Sequence, residues 1–172
     1  MKVAIIIAGA IAGLIAIVFV VGALLPQKHV ARREILLSRS PGEVYAVVRD
    51  FASAPAWRSE LKRVVLLEPV AEKLRFREEF QYGAMTYEVM EDRQPERLVT
   101  RIVDRDLGYF GTWTYEFVPA ENGATRVRIT EDGEVPSIVF RFMSRFIFGH
   151  TRTMETYLRA LGRKLGEEVT PK

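Results

Sequence analysis

The first 25 residues of this chain constrain its architecture more than any other stretch of the sequence. Residues 3–25 carry neither a charge nor a strongly polar side chain and consist almost entirely of Ile, Val, Ala, Leu, Gly and Phe. At a helical rise of about 1.5 Å per residue, this run would reach roughly 35 Å, enough to cross a hydrocarbon core about 30 Å thick. The run therefore predicts a transmembrane helix, and we expect residues 1–28 to form a membrane anchor.

A cleaved secretory signal is the main alternative for this run. Signal peptides have a shorter apolar region, about 7–15 residues, followed by a small-x-small cleavage site. Here the run is longer and ends in Val-Gly-Ala-Leu-Leu-Pro at residues 21–26, without a clear A-x-A pattern. An uncleaved anchor is therefore favoured over a signal peptide. It is also favoured over the buried helix of a soluble core, since nothing in the run is polar enough to face water.

The charges that flank the run predict its orientation. Lys2 precedes it, whereas Lys28, Arg32 and Arg33 follow it, and the positive-inside rule then places the C-terminal side in the cytoplasm. Arg32 and Arg33 could instead belong to the first strand of a folded domain, which weakens the rule. We predict a single-pass membrane protein whose remaining chain is cytoplasmic rather than exported. The absence of Cys excludes disulfides but leaves the compartment open.

Residues 29–172 have the length of one domain with its own core. Without Lys2 and Lys28 the chain has 23 basic and 22 acidic residues, so this part is nearly neutral. It has no Lys/Arg cluster with interleaved aromatic residues, and we expect no nucleic-acid partner. Neither His29 nor His150 belongs to a cluster of ligands, so we expect no metal site. The glycine motifs of nucleotide and hydrolase sites are absent, so we expect no cofactor.

The order of predicted elements in this part favours an α+β fold. An extended run from His29 leads to Ser-Pro-Gly-Glu at residues 40–43, which has the spacing of a helix capping box. The candidate strands that follow through short turns, as in an antiparallel meander, are residues 61–68, 73–81, 85–91, 98–104, 111–118 and 125–134. About 30 helical residues close the chain, with a break near Gly149. Their apolar stripe consists of Met154, Tyr157, Leu158, Leu161 and Leu165.

Five short motifs recur in a familiar order. They are Ser-Pro-Gly-Glu-Val-Tyr at 40–45, Asp-Phe at 50–51 with Pro-Ala-Trp-Arg at 55–58, Phe-Arg-Glu at 76–78, Gly-Thr-Trp at 111–113 and Ile-Thr-Glu at 129–131. With them the chain resembles the SRPBCC or START-like superfamily, which includes the polyketide cyclase/dehydrase group and the birch-pollen allergen family. The resemblance implies a helix-grip fold, in which a curved antiparallel sheet wraps a long C-terminal helix around a cavity for a hydrophobic ligand. It implies no particular reaction.

Strand alternation predicts which side chains line such a cavity, because residues two apart share a face. Phe76 shares a face with Glu78, and Ile129 shares a face with Glu131. We expect a hydrophobic small molecule or lipid to contact Trp57, Phe76, Glu78, Tyr87, Trp113, Tyr115, Glu131, Phe142 and Met154.

Glu78 and Glu131 are also the candidate catalytic residues. Burial would raise their pKa values towards neutrality, as a cyclase or dehydratase-like enzyme would need for general acid/base catalysis. Alternatively, they pair with an arginine such as Arg101 or face solvent at strand ends. The structural interpretation is favoured, because two carboxylates without a nucleophile specify no reaction. The sequence thus predicts a binding domain rather than an enzyme, and a tethered interaction module without a ligand is the third alternative.

Residues 137–148 are mostly large and apolar. In the simpler interpretation they begin the last helix and pack under the sheet, with Arg141 and Arg145 emerging from it. The alternative hypothesis is an interfacial helix or cavity lid that leans on the bilayer, with both arginines near lipid phosphates.

Overall fold

The computed structural model describes residues 2–172, apart from the side chain of Phe148. Its first element is helix α1 (Lys2–Leu24), whose side chains are nearly all exposed. By length and composition α1 could cross a membrane, although a secretory signal would meet the same criteria. The apolar helix expected from the sequence is therefore present.

Seven antiparallel strands form a sheet with the order β1-β7-β6-β5-β4-β3-β2. Strands β2 to β7 follow one another as a meander, as the sequence predicts, and β1 pairs with β7. Glu131 of β7 lies opposite Ala31 of β1 on one side and Trp113 of β6 on the other. The strands are β1 (Lys28–Leu37), β2 (Leu61–Val70), β3 (Lys73–Phe80), β4 (Gly83–Arg93), β5 (Arg97–Ile102), β6 (Phe110–Pro119) and β7 (Thr125–Glu134).

Helix α2 (Pro41–Arg49) connects β1 to the meander and begins with the predicted capping box. The Glu43 carboxylate accepts a hydrogen bond from the Ser40 amide at 2.9 Å, and the Ser40 hydroxyl accepts one from the Glu43 amide at 3.4 Å. Both bonds satisfy donors that the first turn of a helix cannot pair internally. A short 3₁₀ helix (Phe51–Ala56) follows and carries the chain to the edge strand β2.

Helix α4 (Arg152–Lys164) lies on the inner face of the sheet. The predicted apolar stripe is confirmed: four of its residues are buried, and Leu165 packs against the core. Burying a large apolar side chain contributes about 1.5–3 kcal/mol, so this stripe is a main source of the helix's attachment. The buried stripe residues are Met154, Tyr157, Leu158 and Leu161, and they meet Leu98, Phe117, Val127 and Ile129 of the sheet.

The C-terminal helical region consists of separate segments. Helix α3 (Ile138–Met143) continues into a π-helical turn (Ser144–Phe148). Gly149 ends this turn with a φ of 72°, a left-handed conformation that glycine adopts without a steric penalty. The chain therefore breaks where the sequence predicts, and the helix held by the sheet is α4 alone.

Helix α3 packs against the end of α1, not under the sheet as the simpler interpretation has it. Gly22 is the buried residue of α1, and a Cβ atom at this position would clash with the carbonyl oxygen of Ile138. Arg141 does not emerge into solvent: it is buried and donates a 2.8 Å hydrogen bond to the Leu25 carbonyl. The reason is that carbonyls at a helix C-terminus lack internal partners and attract cations. Arg145 is exposed, as expected.

Candidate functional site

A cavity of about 410 Å³ lies between the inner face of the sheet and the first turns of α4. Its wall is mostly aromatic on the sheet side, whereas α4 contributes polar side chains. The cavity is lined by Arg58, Glu60, Phe76, Glu78, Phe80, Met85, Tyr87, Thr100, Trp113, Tyr115, Arg152, Thr153 and Thr156.

A second cavity of about 230 Å³ adjoins the first. The two share five lining residues, and the second is the one that includes Glu131. The shared residues are Met85, Tyr87, Thr100, Trp113 and Thr153. Together the two cavities form an apolar space with Glu78 on one side and Glu131 on the other.

Aromatic packing fixes the shape of the wall. Phe76 lies between two rings, with centroid distances of 4.0 Å to Phe51 and 5.1 Å to Tyr87. On the opposite side the Tyr157 ring of α4 lies 5.6 Å from Tyr115 and 6.0 Å from Trp113. Aromatic pairs at these separations are favourable beyond their buried area, so the wall is preorganised for an apolar ligand.

Glu78 is paired with Arg58 in the first cavity. Two guanidinium nitrogens of Arg58 contact the two carboxylate oxygens at 2.5 and 3.3 Å, and both side chains are buried. Burial raises the pKa of Glu78, and the charge and hydrogen bonds of Arg58 counteract this effect. The expectation of an arginine partner is met by Arg58 and not by Arg101. Arg101 donates to Glu88, whose side chain alternates to the other face from Tyr87.

Three side chains surround the Glu131 carboxylate or its partner. Its Oε2 accepts a 2.8 Å hydrogen bond from the Trp113 indole, and its Oε1 lies 3.0 Å from Nε2 of His29. The His29 ring in turn stacks on His150, with 3.9 Å between centroids. Burial, and then the charge of His29, lower the pKa of His150. Glu131 thus belongs to a partly exposed network that contains titratable imidazoles.

Buried tyrosines supply neutral hydrogen-bonding groups to the cavity. Burial raises the pKa values of Tyr87, Tyr115 and Tyr157, so their hydroxyls stay protonated over the physiological range. The Arg58 guanidinium also lies 5.0 Å from the centroid of the Tyr157 ring, within range of a cation–π interaction. The site can therefore orient a polar group on an otherwise apolar ligand.

The structure brings together six of the nine predicted ligand-contact residues and separates three. Trp57 packs edge-on against Tyr157, at 5.4 Å between centroids, beside the cavity. Met154 is completely buried beneath it, and Phe142 packs against Phe146 near the end of α1. The residues in the walls of the two cavities are Phe76, Glu78, Tyr87, Trp113, Tyr115 and Glu131.

Sequence reasoning missed the polar lining. Arg58 stands inside one of the quoted motifs, but its pairing with a carboxylate 20 positions away depends on the path of the chain after the 3₁₀ helix. Thr153 and Thr156 were hidden because polar residues on an amphipathic helix are usually assigned to solvent. Their position three residues apart, next to Tyr157, was the available signal. Among the described residues, no group of three His, Cys, Asp or Glu side chains could hold a metal ion.

The chain matches, over residues 28–166, the family described as polyketide cyclase / dehydrase and lipid transport. Because the match covers most of its length, the protein belongs to this family, within the START/SRPBCC superfamily. No functionally curated protein matches the chain.

Solved structures show the same fold at low sequence identity. A START superfamily protein from Mycobacterium smegmatis has a TM-score of 0.62 and 19% identity, over 80% of this chain and 97% of its own. Norcoclaurine synthase from Thalictrum flavum has a TM-score of 0.65 and 12% identity, over 82% and 88%. The ZhuI aromatase/cyclase from Streptomyces sp. R1128 has a TM-score of 0.64 and 11% identity, over 81% and 94%. Identities this low establish the helix-grip fold and leave activity open.

Proposed function

We propose that this protein is a membrane-anchored binding protein for a hydrophobic small molecule or lipid. Residues 1–28 are the anchor, and residues 29–172 form the binding domain, on the cytoplasmic side. The observation that carries the proposal is the aromatic-walled cavity of about 410 Å³, a volume typical of small-molecule sites. Its few polar groups, Arg58, Glu78 and two threonines of α4, would orient one polar end of the ligand.

Ligand occupancy can be measured with the full-length chain in lipid nanodiscs. The probe is cis-parinaric acid, a fatty acid whose fluorescence rises in a dry apolar site. We expect Trp113→Arg to remove the saturable part of the signal, because it places a charge in the cavity wall. Leu66→Arg is the matched control: Leu66 is 55% exposed on β2 and does not line the cavity, so the signal should stay.

Equal signals from both variants would overturn the proposal, since bilayer partitioning alone would then explain them. Thermal melting of each variant confirms that it is folded. Native mass spectrometry of the wild-type chain, released from detergent, then identifies any co-purified apolar molecule. A protein that neither binds the probe nor carries such a molecule would be a tethered interaction module.

Proton-transfer chemistry on the bound ligand, as in a cyclase or dehydratase-like enzyme, is a second candidate function. The observation in its favour is that Glu131 faces the second cavity while hydrogen-bonded to His29, an arrangement that can pass a proton. Glu78 is less suited, because Arg58 occupies both of its oxygens. Incubating the protein and its co-purified molecule in D₂O tests this candidate: deuterium should enter the molecule with the wild type and not with Glu131→Gln.

A further inference from the structure

A third cavity, of about 300 Å³, lies at the foot of α1 and is separate from the proposed ligand cavity. Its wall combines the chain that leaves α1, the start of β1 and the π-helical turn. We refer to it as the junction pocket. Its lining residues are Leu25, Pro26, Gln27, His29, Val30, Val135, Arg141, Ser144, Arg145 and His150.

Arg141 is the central residue of the junction pocket. It is 8% exposed and makes no ion pair with a described residue. Its two terminal nitrogens donate to the carbonyls of Leu25 and Pro136, at 2.8 and 3.2 Å. Its third donor, the buried Nε, has no hydrogen-bond partner among the described residues. A buried cation with an unused donor is costly unless an anion completes its environment.

The rest of the pocket has the same sign of charge. Arg145 is exposed at the rim, and two imidazoles, His29 and His150, lie in the wall. No acidic residue is among the lining residues of the described chain. Burial and the charges of His29 and Arg145 lower the pKa of His150, while Glu131 opposes them, which is consistent with locally positive surroundings. Ser144 adds a hydroxyl, so the donor set suits a phosphate group.

The surroundings of the pocket indicate where such a phosphate comes from. The pocket begins one residue after the 23-residue apolar helix, the depth at which a transmembrane helix meets the headgroups. The segment that carries both arginines also exposes large apolar side chains, each 40–59% accessible. They are Val139, Phe140, Phe146 and Ile147. A free phosphate would need no such neighbours, whereas a phospholipid has acyl chains that would cover them.

We propose that the junction pocket binds the phosphate of an anionic phospholipid, held by Arg141, Arg145 and the Ser144 hydroxyl. The lipid would cover the apolar side of α3 and the π-helical turn and so seat the domain against the bilayer. This site is independent of the proposed ligand cavity, which could be empty or filled without affecting it.

Native mass spectrometry of the full-length chain, released from a neutral detergent, tests the proposal. The probes are phosphatidylglycerol and phosphatidylcholine of identical acyl composition, offered at equal concentration. We expect the wild type to prefer phosphatidylglycerol about tenfold, the scale of a charge-assisted hydrogen bond. Arg141→Gln combined with Arg145→Gln should abolish the preference, and Arg145→Gln alone, at an exposed residue, should reduce it without affecting folding.

The matched control is Arg32→Gln combined with Arg163→Gln, which removes two exposed arginines that do not line the pocket. This control should keep the wild-type preference. Equal binding of the two lipids by the wild type, or an unchanged preference in both pocket variants, would overturn the proposal. Displacement of phosphatidylglycerol by 5 mM inorganic phosphate, roughly a cellular level, would also overturn it, because the pocket would then be a site for the free ion.

Discussion

Two carboxylates of the inner sheet face, Glu78 and Glu131, occupy equivalent positions in their strands and have very different surroundings. The Glu78 side chain is 8% exposed and is held by Arg58, a cation that stays charged at every physiological pH. Glu131 is 21% exposed and is held by an indole N–H and by His29, whose charge depends on pH. Strand alternation places both carboxylates, but their partners decide what each can do.

The contrast indicates a division of roles between the two sides of the cavity. The Arg58–Glu78 pair is a fixed electrostatic element, since removing either charge would leave the other buried without a partner. The network of Glu131, His29 and His150 can change its protonation near neutral pH, and it connects the second cavity to the junction pocket. Three predictions test this contrast, in order of decreasing effect.

Replacing Arg58 with methionine should destabilise the protein most. Glu78 would remain buried without its cation, and we expect the free energy of unfolding to fall by about 3–5 kcal/mol. Urea denaturation of the full-length chain in detergent measures the loss. The control is Arg63→Met, which breaks the exposed Arg63–Glu79 pair and should cost at most about 1 kcal/mol. Equal losses in the two variants would mean that the buried pair is no more important than a surface pair.

Replacing Glu131 with glutamine should have an intermediate effect. The amide keeps an acceptor for the Trp113 indole but loses the negative charge beside His29, so we expect a cost of about 1 kcal/mol. The same denaturation experiment applies. Asp132→Asn is the control, because Asp132 is the exposed neighbour on the other face and should change stability by no more than about 0.5 kcal/mol. A loss as large as that of Arg58→Met would remove the distinction between the two carboxylates.

The smallest effect should appear in the pH dependence of stability. His150 has a lowered pKa in the folded protein, so the unfolded chain binds its proton more readily. Its contribution is fully present above the unfolded pKa, about 6.5, and is lost as the pH falls through that value towards the lower folded one. We therefore expect the wild type to lose more stability between pH 7 and pH 5 than His150→Asn does. Identical losses, measured by urea denaturation at both pH values, would contradict the assignment.

Local sequence patterns predicted much of the fold. The capping box at Ser40 and Glu43, the six strands of the meander and the stripe from Met154 to Leu161 each depend on residues close together in the chain. Two-residue alternation also placed Phe76, Glu78, Trp113 and Glu131 on the inner face. Such patterns carry over to the structure because each one expresses the geometry of a single element.

Contacts between distant residues could not be predicted in this way. His29 and Glu131 are 102 positions apart, and they meet only because β1 pairs with β7 in one particular register. Arg141 was expected in solvent, since its sequence neighbours give no sign that α3 would dock on α1. Phe142, expected in the cavity, follows α3 to this junction and packs against Phe146. Each difference arises from tertiary packing that no local pattern records.

Only three residues separate the end of α1 from the start of β1, and α3 packs across this link. With α1 inserted in a bilayer, the domain would behave as a head on a stiff stem instead of a ball on a string. A helix tilts when the bilayer thins, and the head would turn with it. The direction in which the cavity opens would then follow the thickness of the surrounding membrane, so that lipid composition could act as a steering input without binding to the cavity.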